Sequence, residues 1–302
     1  QQLEGFPSLD KNQMHARIGD ASAAFAKWRT TSFAERAKVL QAVAKQLRAE
    51  KQDIAELMAL EMGKPIKEGV PEVEKAATCA EYYADHAEAY LADETLPSDA
   101  SLSYVTYQPL GTLLGILPWN APLWLAFRYL APALMAGNTC VMKHDPHVPQ
   151  SAQAIANAFL KAGAPDNIMV NLPLETPEVE LAIRDPRIAA VSFTGSNSAG
   201  KKVAAIAGSE VKPCVLELGG SDPVLVLNDA NLEQAADIIC LSRIINAGQS
   251  CIAAKRVIVE ADVHDRFIEL VEQRLGKLRL GDPLQADTDI GPIAREDLQL
   301  NL

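Results

Sequence analysis

The sequence predicts an α/β protein: a parallel sheet with helices on both faces, followed by the start of a second α/β unit. Two observations carry this prediction. From Gly111 onward, short strand-length runs that are apolar throughout alternate with helical segments, the signature of a parallel sheet covered on both sides. At 302 residues and 48% apolar content, the chain is long and apolar enough to bury such a core.

Taken in order, the first ninety or so residues are expected to be helical. Ser32 stands ahead of Val39, Leu40, Val43 and Leu47, spaced by three and four, the pattern of a capped amphipathic helix. That helix is expected to run on through Leu57 and Leu60 to a break at Gly63-Lys64-Pro65, and a second to run from Pro65 to about Leu91. Ser101–Gln108 alternates with period two after a turn at Pro97-Ser98-Asp99 and reads as a strand. Five apolar runs then follow: Thr112–Leu117, Thr139–Lys143, Ile168–Leu172, Ile188–Phe193 and Cys214–Leu218. Helices fit between them at Pro122–Met135, Pro149–Lys161, Pro177–Arg184 and Ser196–Ala207. A last strand-helix-strand stretch, Val224–Leu227, Asn231–Ile245 and Val257–Glu260, begins the second unit.

Charge and composition exclude several classes of function. A net charge of -11 repels nucleic acid and anionic membrane surfaces. The most apolar run, Ala121 to Ala136, is too short to span a bilayer and contains Arg128. No leader-like order opens the chain, and five cysteines without paired spacing argue against a disulfide framework, so the expected location is the cytoplasm. His15, His86, His144, His147 and His264 lack ligand spacing with carboxylates, so no metal is expected.

Sheets of this kind bind ligands beyond the carboxyl ends of their strands, which directs the search for chemistry. Of the five cysteines, Cys79, Cys140, Cys214 and Cys240 fall within helices or strands as small core residues. Cys251 follows the polar, glycine-bearing segment Asn246-Ala247-Gly248-Gln249-Ser250, where a carbonyl compound has room to reach sulfur. Glu217-Leu218-Gly219-Gly220 ends a strand with a carboxylate suited either to activating water or simply to solvent. Pro118-Trp119-Asn120 ends another, and the Asn120 amide reads as an oxyanion donor or as a helix cap. Phe193-Thr194-Gly195-Ser196 opens a helix whose first amides suit an anion, while Lys143 closes its strand as a ribose contact or a solvated lysine.

Six pieces of the chain together resemble the aldehyde dehydrogenase family: Leu60-Glu61-Met62-Gly63-Lys64-Pro65, Pro118-Trp119-Asn120, Lys143, Phe193-Thr194-Gly195-Ser196, Glu217-Leu218-Gly219-Gly220 and Gly248-Gln249-Ser250-Cys251. Their order and spacing fit across essentially the whole chain. The resemblance implies a Rossmann-like cofactor-binding part at 1–91 and 110–218, an oligomerisation hairpin at 92–109, and the beginning of a catalytic part at 219–302. It further implies that Cys251 is the nucleophile, Glu217 the general base and Asn120 the oxyanion donor. Pro118, Trp119, Lys143, Pro146, Gly195, Ser196 and Leu218 become contacts for NAD or NADP, in a homo-oligomer. The sulfur of Cys251, the carboxylate of Glu217 and the amide of Asn120 are then expected at one opening.

Within the family, the segments around Glu217 and Cys251 are most similar to succinate-semialdehyde dehydrogenases. Arg128, set among Leu123, Trp124, Leu125, Phe127 and Leu130, needs an anionic partner if buried; a substrate carboxylate, an internal salt bridge and a place on an exposed face are the open readings. Three residues after Lys143 stands Pro146, where NAD-preferring members of the family often carry glutamate, so NADP is expected to be tolerated or preferred. Family members are longer, and their later Glu-x-Phe-Gly-Pro motif does not follow Leu298 here. Open alternatives are a dinucleotide-binding chain without turnover, a dehydrogenase for another small aldehyde, and a thiol acyl-transfer enzyme.

Overall fold

A computed structural model describes residues 5–300. The helical opening comprises α1 (Lys11–Trp28), α2 (Phe33–Ala49), α3 (Lys51–Met62) and α4 (Ile66–Tyr90). Capping boxes start the first two: Asp10 with Gln13, and Ser32 with Glu35, each side chain taking the other residue's backbone N–H. The single long helix expected from Ser32 to Gly63 is instead two. Glu50 leaves helical geometry at φ -110° and ψ 13°; its carboxylate pairs with Lys161, while Lys51 pairs with Glu74 at 2.7 Å. The apolar periodicity carries on across this break, which is why the sequence alone does not reveal it.

After α4, the expected strand at Ser101–Gln108 contracts to a two-residue ladder. β1 (Glu94–Thr95) and β2 (Tyr104–Val105) pair antiparallel and both are exposed. Alternation without a buried face leaves nothing to hold a longer ladder.

The alternating region forms β3 (Thr112–Leu117), α5 (Pro122–Met135), β4 (Thr139–His144), α6 (Pro149–Lys161), β5 (Met169–Asn171), α7 (Thr176–Arg184), β6 (Ile188–Gly195), α8 (Asn197–Ser209) and β7 (Cys214–Leu218). The sheet order is β5-β4-β3-β6-β7, with β5–β4, β4–β3 and β3–β6 parallel. Every residue of β4 is buried, as expected for a central strand covered on both faces. Arg36, itself buried, donates to the Met135 carbonyl at 2.7 Å and the Thr31 carbonyl at 2.8 Å, so it satisfies the end of α5.

The remaining elements are β8 (Pro223–Val226), α9 (Leu232–Ile244), a 3₁₀ turn at Ile245–Gly248, β9 (Arg256–Val259), α10 (Ala261–Leu275) and α11 (Glu296–Gln299). β8 and β9 form a two-stranded parallel sheet. One face covers a small core of Val226, Ala236, Ile239, Ala254, Phe267 and Leu270.

The chain divides into two compact units: residues 1–51 with 72–217, and residues 52–71 with 218–302. Residues 52–71, read from the sequence as part of the cofactor-binding region, cluster with the second unit. Local contacts explain this. The Ile66 N–H donates to the Pro283 carbonyl at 2.8 Å, Lys67 pairs with Asp289, and the Glu68 carboxylate accepts the Asn246 N–H at 2.7 Å. Among the described residues, no helix is long and apolar enough to cross a membrane.

Candidate active-site groups

In the first unit, the chain runs from β3 outward to β4 and β5, then returns to place β6 on the other side of β3. That reversal makes β3 and β6 the topological switch point, where open α/β sheets bind ligands at their carboxyl ends. Register aligns these ends, with Ile116 opposite both Lys143 and Phe193, and Leu117 opposite His144. The loop residues Pro118, Trp119 and Asn120, the strand-end Lys143, and Gly195 with Ser196 therefore all emerge along one edge.

Each of these residues has a local physical setting. Lys143 is buried, and burial lowers its ammonium below the ordinary lysine value, with Asp145 and Glu175 pulling the other way. Pro146 is exposed and brings no carboxylate. Gly195 lets the chain pass over the Phe193 ring, since a Cβ would lie 2.6 Å from it. Ser196 caps α8 by accepting the Ala199 N–H at 3.3 Å.

Asn120 is half-buried and is not the cap of α5. That position is Ala121, and the N–H groups of Leu123 and Trp124 donate to the Glu72 carboxylate at 3.0 and 3.2 Å. The capping alternative for Asn120 is thereby removed.

His144 is fully enclosed. Its Nδ1 accepts the Asp145 N–H at 3.1 Å, so the proton sits on Nε2 and is donated to the Pro122 carbonyl, also at 3.1 Å. Burial pushes its pKa down to about 4, outweighing the carbonyl that favours the charged ring.

Arg128 departs from its expected setting. Its neighbours on α5 are buried, but Arg128 lies on the half-exposed stripe shared with Trp124 four residues earlier. Its guanidinium pairs with the Glu217 carboxylate at 3.3 Å, with side-chain exposures of 36% and 53%. The premise of a deeply buried guanidinium is corrected, and the anion facing it is the residue read as the general base.

In the second unit, Cys251 is the exposed cysteine of the five. Burial raises the thiols of Cys79 to about 11 and Cys140 to about 12, and raises those of Cys214 and Cys240 as well.

The loop ahead of Cys251 is built from three consecutive left-handed residues: Asn246 at φ 56°, Ala247 at 52° and Gly248 at 75°. Non-glycine residues in this region cost about 1–3 kcal/mol each unless surroundings impose it. Here Glu68 takes the Asn246 N–H, Gln249 Nε2 donates to the Asn246 carbonyl at 3.1 Å, and Gln249 Oε1 accepts the Ala294 N–H at 3.0 Å. Gly248 is obligatory for a second reason, since a Cβ there would collide with the Arg243 guanidinium. Leu218 is half-buried where β7 ends, and Gly219 and Gly220 behind it are exposed.

Asn120, Arg128, Lys143 and Glu217 belong to the first unit and Cys251 to the second. Sequence reasoning missed Glu72, Glu68 and Arg243, and the task of Gln249; all four bond backbone groups around these sites. For Arg243 a signal existed: a basic residue in the last turn of a helix commonly bonds nearby carbonyls.

Residues 1–300 match the model of the aldehyde dehydrogenase family. A succinate-semialdehyde dehydrogenase [NADP(+)] of Mycobacterium tuberculosis is 47% identical over 97% of this chain, and one of Mycobacterium avium 45% identical over 97%. The chain spans 65% and 63% of the length of these two relatives. Among solved structures, succinic semialdehyde dehydrogenase from Streptococcus pyogenes in complex with NADP+ superposes with a TM-score of 0.96 at 34% identity, over 99% of this chain and 66% of that one. The chain belongs to the aldehyde dehydrogenase family.

Proposed function

We propose that this chain carries the nucleophile and the dinucleotide-binding edge of an NADP-dependent oxidation of succinate semialdehyde to the dicarboxylic acid. The observation that carries the reading is Cys251: an exposed thiol on a pre-shaped loop, where the other four are buried or half-buried.

The thiolate of Cys251 forms a C–S bond to the aldehyde carbon, and the carbonyl oxygen takes the negative charge. The Asn120 amide and the Cys251 N–H donate to that oxyanion. Oxidation leaves a thioester on Cys251. Glu217 then accepts a proton from water as its oxygen attacks the acyl carbon, and the thioester C–S bond breaks to release the acid and the thiolate.

The sheet edge fits a dinucleotide. The amides at the start of α8, the buried ammonium of Lys143 and the Trp119 ring supply suitable donors and surfaces. When bound, NADP supplies the hydride acceptor. The exposed Pro146 sets no carboxylate against a 2′-phosphate, and the mycobacterial relatives above are named for NADP(+). Arg128 is suited to the distal carboxylate of the substrate, which would replace Glu217 as its partner and release that carboxylate to act as base. The exposed Leu96, Leu102, Tyr104, Tyr107 and Leu110 around the β1–β2 hairpin suit a contact between copies of the chain.

Site-mapped iodoacetamide labelling tests the nucleophile directly. Cys251 is expected to react at least about tenfold faster than each other cysteine. Equal rates, with NADP binding retained, would reduce the chain to a dinucleotide binder. NADPH absorbance with succinate semialdehyde against acetaldehyde tests the substrate, and Arg128→Met should lower kcat/KM for the former selectively. A variant equally impaired with both aldehydes would overturn the carboxylate role.

A further inference from the structure

Two cations hold the Cys251 loop by its carbonyls, and neither has a role in the chemistry described above. Arg243, in the last turn of α9, donates from Nη2 to the Gly248 carbonyl at 2.9 Å and from Nη1 to the Ala254 carbonyl at 3.1 Å. Those acceptors lie three residues either side of the cysteine. Lys255 donates from Nζ to the carbonyl of Cys251 itself at 2.8 Å and to the Gly220 carbonyl at 2.7 Å.

We propose that Arg243 and Lys255 are positioning residues for Cys251, bracing its loop through four backbone carbonyls. This rests on the reading of Cys251 as the nucleophile. Four observations support it. First, a chain that turns through three left-handed residues has no regular ladder, so its carbonyls need donors from elsewhere. Second, a guanidinium presents two donors in a fixed planar fork, which suits two carbonyls held at a set separation. Third, Gly248 leaves the space that the Arg243 guanidinium occupies. Fourth, among the described residues neither cation is paired with a carboxylate; both charges face backbone oxygen. Lys255 also ties Gly220 to the cysteine loop, and its ammonium lies on the backbone of the residue whose sulfur is to carry negative charge.

Hydrogen exchange and site-mapped iodoacetamide labelling of the full chain test the brace without requiring turnover. Arg243→Met should raise amide exchange across residues 246–254 at least about tenfold while leaving α10 unchanged. Lys255→Met should slow Cys251 alkylation at least about threefold without altering Cys214, and Lys255→Arg should restore it. If Arg243→Met also loosens α10, the exposed Lys255→Met variant decides the matter. Parent-like exchange at 246–254 together with parent-like alkylation in Lys255→Met would overturn the proposal. Parent Cys251 reacting no faster than the other thiols would instead sink the nucleophile reading, and the exchange result would still decide whether the brace exists.

Discussion

The central strand of the first unit's large sheet and the paired strands of the second unit are buried to very different degrees. In the first, β4 is buried at every position, and Phe127, stacked on Phe159 at 6.1 Å between ring centres, has no exposed surface. In the second, β8 and β9 are mostly exposed; Leu225 and Ile258 face outward, and a groove of about 260 Å³ opens beside Phe267, Val257, Val259 and Val271. Among the described residues, one face of the β8–β9 sheet packs on the small apolar core and the other carries exposed Leu225 and Ile258. The cysteine loop of that unit is held by directed polar bonds from Glu68, Gln249 and Arg243.

Matched truncations give the largest test of this contrast. Phe127→Ala is expected to cost about 4 kcal/mol, because nothing can collapse into the space left behind. Phe267→Ala should cost less, about 2–3 kcal/mol, because its groove already admits water. Urea unfolding followed by amide exchange in each unit measures both, and an equal or greater cost at Phe267 would break the comparison.

The next effect is pH-dependent and confined to the first unit. His144 is held neutral with its pKa lowered from 6.5 to about 4. The folded state therefore binds fewer protons than the unfolded chain in that window, and stability falls as pH drops from 6.5 towards 4, by up to about 3 kcal/mol. His144→Leu should flatten that slope. Asp185 acts in a lower window. Burial alone would raise its carboxyl, but the Arg187 and His15 bonds bring it from 3.8 to about 2, so its contribution is present above 3.8 and lost as pH falls through 2. A first unit insensitive to pH between 6.5 and 4 would rule out the buried neutral imidazole.

Much of this was legible in the sequence, and the failures have physical causes. The five strands of the large sheet and the helices between them follow from uniformly apolar runs, and Ser32 announced its own capping box. Hidden from the sequence was whatever depends on a partner distant in the chain. The break at Glu50 is accompanied by Lys161, and Glu72 reaches across to the first turn of α5. Arg128 could be read as needing an anion, but not which one, because Glu217 lies eighty-nine residues on. The candidate site was visible as residue types at strand ends; its bracing was not.

Smaller effects sharpen the picture further. Ala247→Gly should stabilise the second unit by about 1 kcal/mol, since glycine adopts its left-handed backbone without steric cost. A loss of stability there would mean that the loop does not hold this geometry. Smallest of all, Glu217→Gln should move stability by under about 0.5 kcal/mol, as its exposed pairing with Arg128 predicts, whatever it does to turnover.

The left-handed run at residues 246–248 has one more consequence. A turn of that kind cannot be reached by gentle bending from an ordinary loop, because the intervening backbone angles are sterically forbidden. The contour around the thiol is consequently held by the surrounding bonds before any molecule arrives, which leaves little to organise on binding.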